Sequence, residues 1–229
     1  MKSMLKRRTT QISLSIGLSV TALLMGVLVP ELNRKGSDNS HNSIEESLGS
    51  PSELDVTTLV SMSPLQRKKQ LQAAIDKSKN LNRDRARYLL AADLIERGEA
   101  EEAIAQLKGL ERDYKLLAPY VVLQRARAYE VAGDTTKANE AWQELIKRYS
   151  DNPATADALY VLGKDNPSYW DRALEQFPAH PSTVEIARER LKQDPNQPQL
   201  LLLIAKYGFH VPEYVSVLDT LKTKYASQL

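Results

Sequence analysis

The chain has 229 residues, which is enough for one or two domains with a substantial core. Its formal net charge is +2, but four basic residues precede the first acidic residue, Glu31, so the rest of the chain is slightly acidic. That balance leaves no large basic face, and we expect no nucleic-acid partner. The lack of cysteine excludes disulfides, thiolate chemistry, cysteine-based metal centres and a lipoprotein anchor on an acylated cysteine.

Residues 1–30 predict a signal anchor, with a short basic cytoplasmic end followed by a transmembrane helix. Lys6, Arg7 and Arg8 precede the uncharged apolar run 12–29, which a proline follows. As a helix this run spans about 27 Å at about 1.5 Å per residue, close to the thickness of a bilayer core. Basic flanks stay in the cytoplasm, so the rest of the chain is expected outside it. A cleaved signal peptide and a buried core helix remain as alternatives, although no A-x-A-like cleavage site follows the run.

The remainder of the chain divides into a linker and a helical region. Residues 31–58 are rich in Ser, Asn and Gly and poor in large apolar side chains, which predicts a disordered linker. Ser63 and Pro64 are suited to the N-cap and first position of a helix. From there to residue 229, amphipathic segments alternate with Gly and Pro turns, and no run of alternating β-branched residues is long enough for a sheet. An all-α fold is predicted over 59–229.

One phrase occurs twice in the helical region, 35 residues apart: ERGEAEEAIAQLKGLERDY and VAGDTTKANEAWQELIKRYS. When the copies are aligned, Gly98 matches Gly133 and Ala103 matches Ala138. Each copy reads as the end of one helix, a tight turn at the glycine, and a second helix that folds back. A single helical hairpin cannot cover its own apolar face, so such units stack. The repeat therefore predicts an α-solenoid.

The second copy resembles a tetratricopeptide repeat. That family repeats, over about 34 residues, a small residue, an aromatic residue, Gly-Asp, an alanine and a second aromatic residue. Here the pattern is filled by Ala126, Tyr129, Gly133-Asp134, Ala138 and Trp142. The first copy fits less well, and NPATADALYVLGKDNPSYWDRALEQFP looks like a shortened third copy.

A longer stretch is similar to the helical N-terminal region of soluble lytic murein transglycosylases. The segments concerned are LLAPYVVLQRARAYEVAGDTTKANEAWQELIKRYSDNPATADALYVLGK, YWDRALEQFPAHPSTVEIARERL and NQPQLLLLIAKYG. In that family an α-superhelix precedes a lysozyme-like domain that cleaves peptidoglycan. RYSDNPATADALYVLG also resembles the repeats of adaptors for outer-membrane assembly.

No catalytic, cofactor or metal site is predicted in this chain. The family's catalytic Glu-Ser pair would correspond only to Glu46-Ser47, which lies in the polar linker and has no Gly-Leu-Met-Gln segment after it. A glutamate that serves as acid and base needs a walled, apolar pocket, which this segment cannot build. His41, His180 and His210 are far apart in sequence, and no Gly-rich phosphate loop is present.

The resemblance to tetratricopeptide repeats implies a partner groove. In that family the first helix of each hairpin lines a concave surface that holds a peptide or a protein. The matching positions here are Arg85, Tyr88 and Glu96 in the first unit and Tyr120, Leu123, Arg127 and Glu130 in the second. Alternatively, the two tyrosines pack against the next helix, and the arginine forms a solvated i, i+3 pair with Glu130.

Two functions are therefore expected. The first is a membrane-anchored scaffold of peptidoglycan turnover, held in the bacterial cytoplasmic membrane with its main domain outside the cytoplasm. It would act as the non-catalytic arm of a lytic transglycosylase and contact a protein partner or glycan strands. The second is a stand-alone adaptor for protein–protein contacts in envelope assembly. A catalytic domain after residue 229 is expected only for the first.

Overall fold

The computed structural model describes residues 55–226, which are entirely helical outside the connecting segments. The α-helices, in chain order, are α1 (Pro64–Lys77), α2 (Leu81–Glu96), α3 (Ala100–Leu107), α4 (Leu110–Asp113), α5 (Ala118–Ala132), α6 (Thr135–Arg148), α7 (Ala154–Leu162), α8 (Ser168–Gln176), α9 (Pro181–Gln193), α10 (Pro198–Tyr207) and α11 (Tyr214–Lys224). Short 3-10 helices cover Val56–Ser61 and Lys115–Leu117. The all-α prediction is confirmed for the described residues.

The helices pack as successive antiparallel hairpins. The pairs are α2 with α3, α5 with α6, α7 with α8, and α9 with α10, while α1 covers α2 and α11 covers α10. The second helix of each hairpin also contacts the first helix of the next, so the hairpins stack in chain order. This arrangement is consistent with an α-solenoid. The predicted transmembrane helix lies outside the described residues.

The repeated glycines end the first helices of two hairpins. Gly98 and Gly133 have φ angles of 78° and 76°, in the left-handed region that glycine enters without a steric penalty. After them, the Glu99 N–H donates to the Leu94 carbonyl at 2.9 Å, and the N–H of Asp134 closes the equivalent bond at 3.0 Å. Both are Schellman caps. The sequence repeat therefore encodes one turn geometry that is used twice.

Small and large residues alternate across the hairpin contacts. Ala103 and Ala138 are 0% and 2% exposed, and they let the paired helices approach closely. Leu107 and Trp142 are 0% and 1% exposed and fill the space beside them. The two copies thus build equivalent buried contacts from similar sequence positions.

A buried ion pair fastens the first hairpin to the segment before it. Arg67 on α1 donates from Nε and Nη2 to the two carboxylate oxygens of Asp93 on α2, at 2.8 and 2.6 Å. Its Nη1 donates to the carbonyl oxygens of Val60 and Met62, both at 2.9 Å. One guanidinium therefore holds the 3-10 helix at 56–61 against α2.

The predicted boundary between linker and helical region, at residue 58, falls inside this 3-10 helix. Asp55 caps the helix by accepting a hydrogen bond from the Thr57 N–H at 3.0 Å. Val56 and Leu59 are each 2% exposed. Residues 55–58 therefore differ from the prediction of disorder, because their apolar side chains find cover against α1 and α2. Residues 31–54 of the predicted linker lie outside the described residues.

The connection between α7 and α8 is built differently from the two repeated turns. Gly163 has a φ angle of −69°, so its backbone conformation does not require glycine. However, a Cβ atom there would lie 1.9 Å from Trp170 Cδ1 and 2.7 Å from the Leu159 carbonyl oxygen. The Trp170 Nε1 donates to the Tyr160 carbonyl at 2.9 Å, which fixes the indole over the glycine. Gly163 is needed for space, not for conformation.

The apolar run at 200–205 lies in α10, which packs between α9 and α11. Leu200, Leu201 and Ile204 are buried, whereas Leu202 is 38% exposed. This apolar helix is therefore only partly covered by its two neighbours. Two neighbouring helices cover only part of a helix surface, and the remaining side chains reach solvent.

Candidate binding surface

The first helices of the four hairpins lie side by side. α2 contacts α5, α5 contacts α7, and α7 contacts α9. We call the surface made by residues 81–96, 118–132, 154–162 and 181–193 the first-helix face. It contains all seven positions at which the sequence predicts a partner groove.

A chain of polar contacts crosses three of these helices. Arg127 on α5 donates from Nη2 to Asp157 Oδ2 on α7, at the long distance of 3.5 Å. The hydroxyl of Ser182, in the first turn of α9, donates to Asp157 Oδ1 at 2.5 Å. The side chains of Arg127 and Asp157 are 14% and 20% exposed. Because water is partly excluded, these contacts bind the three hairpins more strongly than the same contacts in open solvent.

His180 extends this network at the start of α9. Its Nδ1 accepts a hydrogen bond from the Ser182 N–H at 3.2 Å, which makes His180 the N-cap of the helix. Burial lowers the pKa of His180; Asp157 opposes this effect and Arg127 adds to it. An uncharged imidazole suits the cap, because Nδ1 can accept a hydrogen bond only when it carries no proton.

The two predicted groove tyrosines are covered to different degrees. Tyr88 is 1% exposed, and burial raises its pKa to about 12 although a hydrogen bond with Gln124 opposes the shift. Tyr120 is partly buried; burial raises its pKa and the Asp157 carboxylate adds to the effect. Tyr88 thus packs in the core between α2 and α5, whereas Tyr120 keeps part of its ring at the surface.

The other predicted groove residues also divide by exposure. Leu123 is 5% exposed and belongs to the core of the second hairpin. Glu96 is exposed, and Arg85 is partly buried. The first-helix face therefore presents Arg85, Glu96, Tyr120 and parts of α5 to solvent, and their use by a partner stays a prediction.

Arg127 and Glu130 do not form the i, i+3 ion pair that was the alternative. Within residues 55–226, the carboxylate partner of Arg127 is Asp157. Glu130 accepts a hydrogen bond from Trp142 Nε1 at 3.1 Å. Although Glu130 is exposed as a whole residue, its carboxylate is shielded beside the indole, and this burial raises its pKa against the opposing hydrogen bond.

The sequence-based prediction missed Gln124, Asp157, His180 and Ser182. One signal was present for Asp157, since it is the single charged residue in the otherwise apolar helix ATADALYVL. A carboxylate in such a helix needs a partner when the helix is packed on both sides. Its partners lie 30 and 25 residues away, and the spacing rules for one helix do not reach that far.

The described residues contain neither a metal-binding cluster nor a membrane-spanning helix. No group of three His, Asp or Glu side chains within 55–226 is arranged to hold a metal ion. None of the helices in that range has both the length and the hydropathy needed to span a bilayer.

Comparison with known proteins supports the repeat assignment. The family model described as a tetratricopeptide repeat matches residues 120–152, which cover nearly all of α5, all of α6 and the turn after it. The match falls on the hairpin that carries the Gly-Asp turn and the buried tryptophan. Comparisons with curated proteins and with solved structures found no match. The chain thus contains a tetratricopeptide-like helical repeat region.

Proposed function

We propose that this protein is a helical-repeat scaffold that binds a protein or peptide partner on its first-helix face. The observation that carries the proposal is the alignment of α2, α5, α7 and α9 into one surface that Asp157 ties together across three hairpins. Stacked helical repeats generally use such extended surfaces for protein–protein contacts. Because the hairpins are already packed, a partner would not have to order them, which lowers the entropic cost of binding.

The proposal includes a location and a process. The uncharged run 12–29, preceded by basic residues, supports a single-pass anchor in the bacterial cytoplasmic membrane with the helical region outside the cytoplasm. The resemblance to the non-catalytic arm of lytic transglycosylases supports a role in peptidoglycan turnover.

Site-specific photocrosslinking in the native cells tests the binding surface. A benzophenone amino acid at Glu96 or Tyr120 should capture a discrete partner, because both positions reach the surface of the first-helix face. The matched control places the same probe at Gln143, which is exposed on the second helix α6. Equal crosslinking from Gln143, or no adduct from either first-helix position, would contradict the proposal.

Two further measurements separate the parts of the proposal. An alkaline phosphatase fused after residue 226 should be active, because this enzyme matures only outside the cytoplasm. Purified murein sacculi should retain the chain if it contacts glycan strands, whereas an adaptor that binds only proteins should stay in the supernatant. A crosslinked protein partner, together with no binding of the chain to sacculi, would favour the envelope adaptor.

A further inference from the structure

A second groove lies away from the first-helix face, between the second helices of the first two hairpins. Its volume is about 560 Å³, and α3, α5 and α6 form its walls and floor. From α3 and its C-cap it is lined by Glu101, Ile104, Ala105 and Lys108, and from α6 by Lys137, Glu140, Ala141 and Glu144. Each set follows the i, i+3, i+4, i+7 spacing, so each helix turns one face toward the gap.

The floor of the groove comes from the back of α5. Arg125 and Tyr129 line it, and they lie on the side of α5 opposite Arg127. In the described structure no ion pair or side-chain hydrogen bond joins α3 directly to α6. Among the described residues, the charged link across the gap is Arg125 on the floor, which pairs with Glu111 on α4 at 3.2 Å and also with Glu144 on α6.

The uncommitted charges in the groove are mostly negative. Glu101 and Glu140 are exposed and form no ion pair or side-chain hydrogen bond with the described part of the chain. Glu111 is only 19% exposed, and its Oε2 is shielded from solvent without a hydrogen-bond partner among residues 55–226. Of the basic residues that line the groove, Arg125 pairs with Glu111 and Glu144, Lys137 pairs with Asp134 at 2.7 Å, and Lys108 is exposed. Because Glu111 Oε2 is closed to solvent, the carboxylates open to a ligand are those of Glu101 and Glu140.

The apolar part of the groove suits an aliphatic stem that ends in a cation. Ile104, Ala105 and Ala141 provide a narrow apolar lining between the carboxylates. Tyr129 already holds a cation, since the Lys137 Nζ lies 5.6 Å from its ring centroid. A side chain with an aliphatic stem and a charged, multi-donor head would meet both features.

We propose that the groove between α3 and α6 binds an arginine side chain of a basic segment in a partner protein. The guanidinium would donate to the exposed carboxylates of Glu101 and Glu140, while its aliphatic stem packs on Ala105 and Ala141. Arginine fits better than lysine because its planar head offers five donors to several carboxylates at once. The site is separate from the first-helix face and does not depend on it.

The test measures binding of a defined peptide to the full chain in a neutral detergent. The probe is fluorescein-labelled Gly-Arg-Ala-Arg-Gly-amide, and its control carries citrulline, which keeps the shape but not the charge, in place of both arginines. Fluorescence anisotropy should show saturable binding of the arginine peptide and at least about tenfold weaker binding of the citrulline peptide. Binding of both peptides with the same affinity, or no saturable binding of the arginine peptide, would overturn the proposal.

Variants locate the site. The double change Glu101→Gln and Glu140→Gln should weaken binding by about tenfold, since it removes two partly exposed charge contacts. Ala105→Trp should block the groove without changing its charge. Glu175→Gln, an exposed carboxylate on α8, is the matched control and should bind as the parent does. Unchanged binding in both groove variants, with unchanged melting temperatures, would place any peptide elsewhere and refute the site.

This result is independent of the first-helix face. Loss of peptide binding in the groove variants should leave the photocrosslinks from Glu96 unchanged. Conversely, a failure to obtain crosslinks from Glu96 would count against the proposed function and not against the groove.

Discussion

The helices within residues 56–148, which we call the N-terminal layers of the stack, bury more of their contacts than the helices within residues 154–224, the C-terminal layers. The first layers share a continuous buried cluster that runs from Val56 to Ala128, and a buried ion pair closes its end. The last layers have smaller buried clusters, and their ion pairs are exposed on at least one side, as in Arg190 with Asp171. The N-terminal layers thus share one continuous core, whereas the C-terminal layers divide their buried residues between separate clusters.

Exposed apolar residues are most concentrated at the C-terminal end, although Leu65, Leu81, Leu116 and Val131 are exposed in the N-terminal layers as well. Leu202, Phe209, Val215 and Leu218 lie on α10, α11 and the turn between them, with exposures of 38%, 78%, 68% and 40%. In a repeat array, terminal units usually turn a polar side outward. The C-terminal end therefore gains less from burial, and we expect it to open more readily than the first hairpins.

The largest expected effect tests the buried ion pair. Asp93→Ala should lower the free energy of unfolding by about 3–5 kcal/mol, because it leaves the Arg67 guanidinium buried without its counter-charge. Asp171→Ala removes an exposed carboxylate, 66% exposed, from Arg190 and should cost about 0–1 kcal/mol. Urea denaturation followed by far-UV circular dichroism measures both. Similar losses of unfolding free energy in the two variants would mean that the Arg67–Asp93 pair is not buried as described.

The two kinds of glycine turn give the next effect. Gly163→Ala should destabilise by about 1–3 kcal/mol, because the new Cβ cannot fit beside Trp170 without moving it. The Cβ that Gly133→Ala adds has no atom within 4 Å. Its destabilisation of about 1–2 kcal/mol therefore comes from the left-handed backbone alone.

Asparagine separates the two causes. Gly133→Asn should cost less than Gly133→Ala, because asparagine tolerates the left-handed region, whereas Gly163→Asn should cost at least as much as Gly163→Ala. Thermal unfolding of the four variants provides the comparison. If asparagine relieves the strain at both positions or at neither, the proposed difference between the turns is wrong.

An effect no larger than that of the glycine substitutions tests the register of the repeat. Ala138→Leu and Ala103→Leu should each destabilise by about 1–3 kcal/mol, because both alanines lie where two helices approach closely. Ala105→Leu, an exposed position on the same helix as Ala103, should stay within about 0.5 kcal/mol of the parent. Unchanged melting temperatures in both buried variants would show that the register is wrong.

The smallest effect is a pH dependence that arises in the C-terminal layers. Burial lowers the pKa of folded His180 below its ordinary value of 6.5, so below about that pH the unfolded chain binds more protons than the folded chain. Stability should therefore be fully present above pH 6.5 and decline as the pH falls toward 5.5.

His180→Asn isolates this contribution, because asparagine keeps an acceptor for the helix cap but does not titrate. Melting temperatures at pH 7.5 and 5.5 should differ less in this variant than in the parent. His210→Asn, at an exposed histidine, should keep the parental difference. An unchanged difference in His180→Asn would exclude His180 as the source.

Sequence reasoning was most successful where structure depends on local chemistry. Gly98 and Gly133 indicated a turn geometry, and the spacing of Ala138 and Trp142 indicated the packed face of α6. Both the turn and the packed face are properties of a few consecutive residues. The start of the folded region was placed too late, since Val56 and Leu59 are isolated apolar residues whose cover comes from α1 and α2.

Contacts between residues far apart in sequence were not predictable in the same way. The bond from Ser182 to Asp157 joins residues 25 apart, and the ion pair of Arg67 with Asp93 joins residues 26 apart. Such pairs depend on how far each hairpin rotates relative to the next, which small changes in side-chain volume decide. For the same reason, the groove between α3 and α6 has no signature in either helix alone.

The guanidinium of Arg67 also has a mechanical consequence. A pull applied at Asp55 passes along the chain to the three carbonyl oxygens of Leu59, Val60 and Met62, which accept hydrogen bonds from Arg67. Because Arg67 also forms the ion pair with Asp93 on α2, the load is transferred to the first hairpin. Several bonds must then break together instead of one after another, so the stack resists being peeled open from that end.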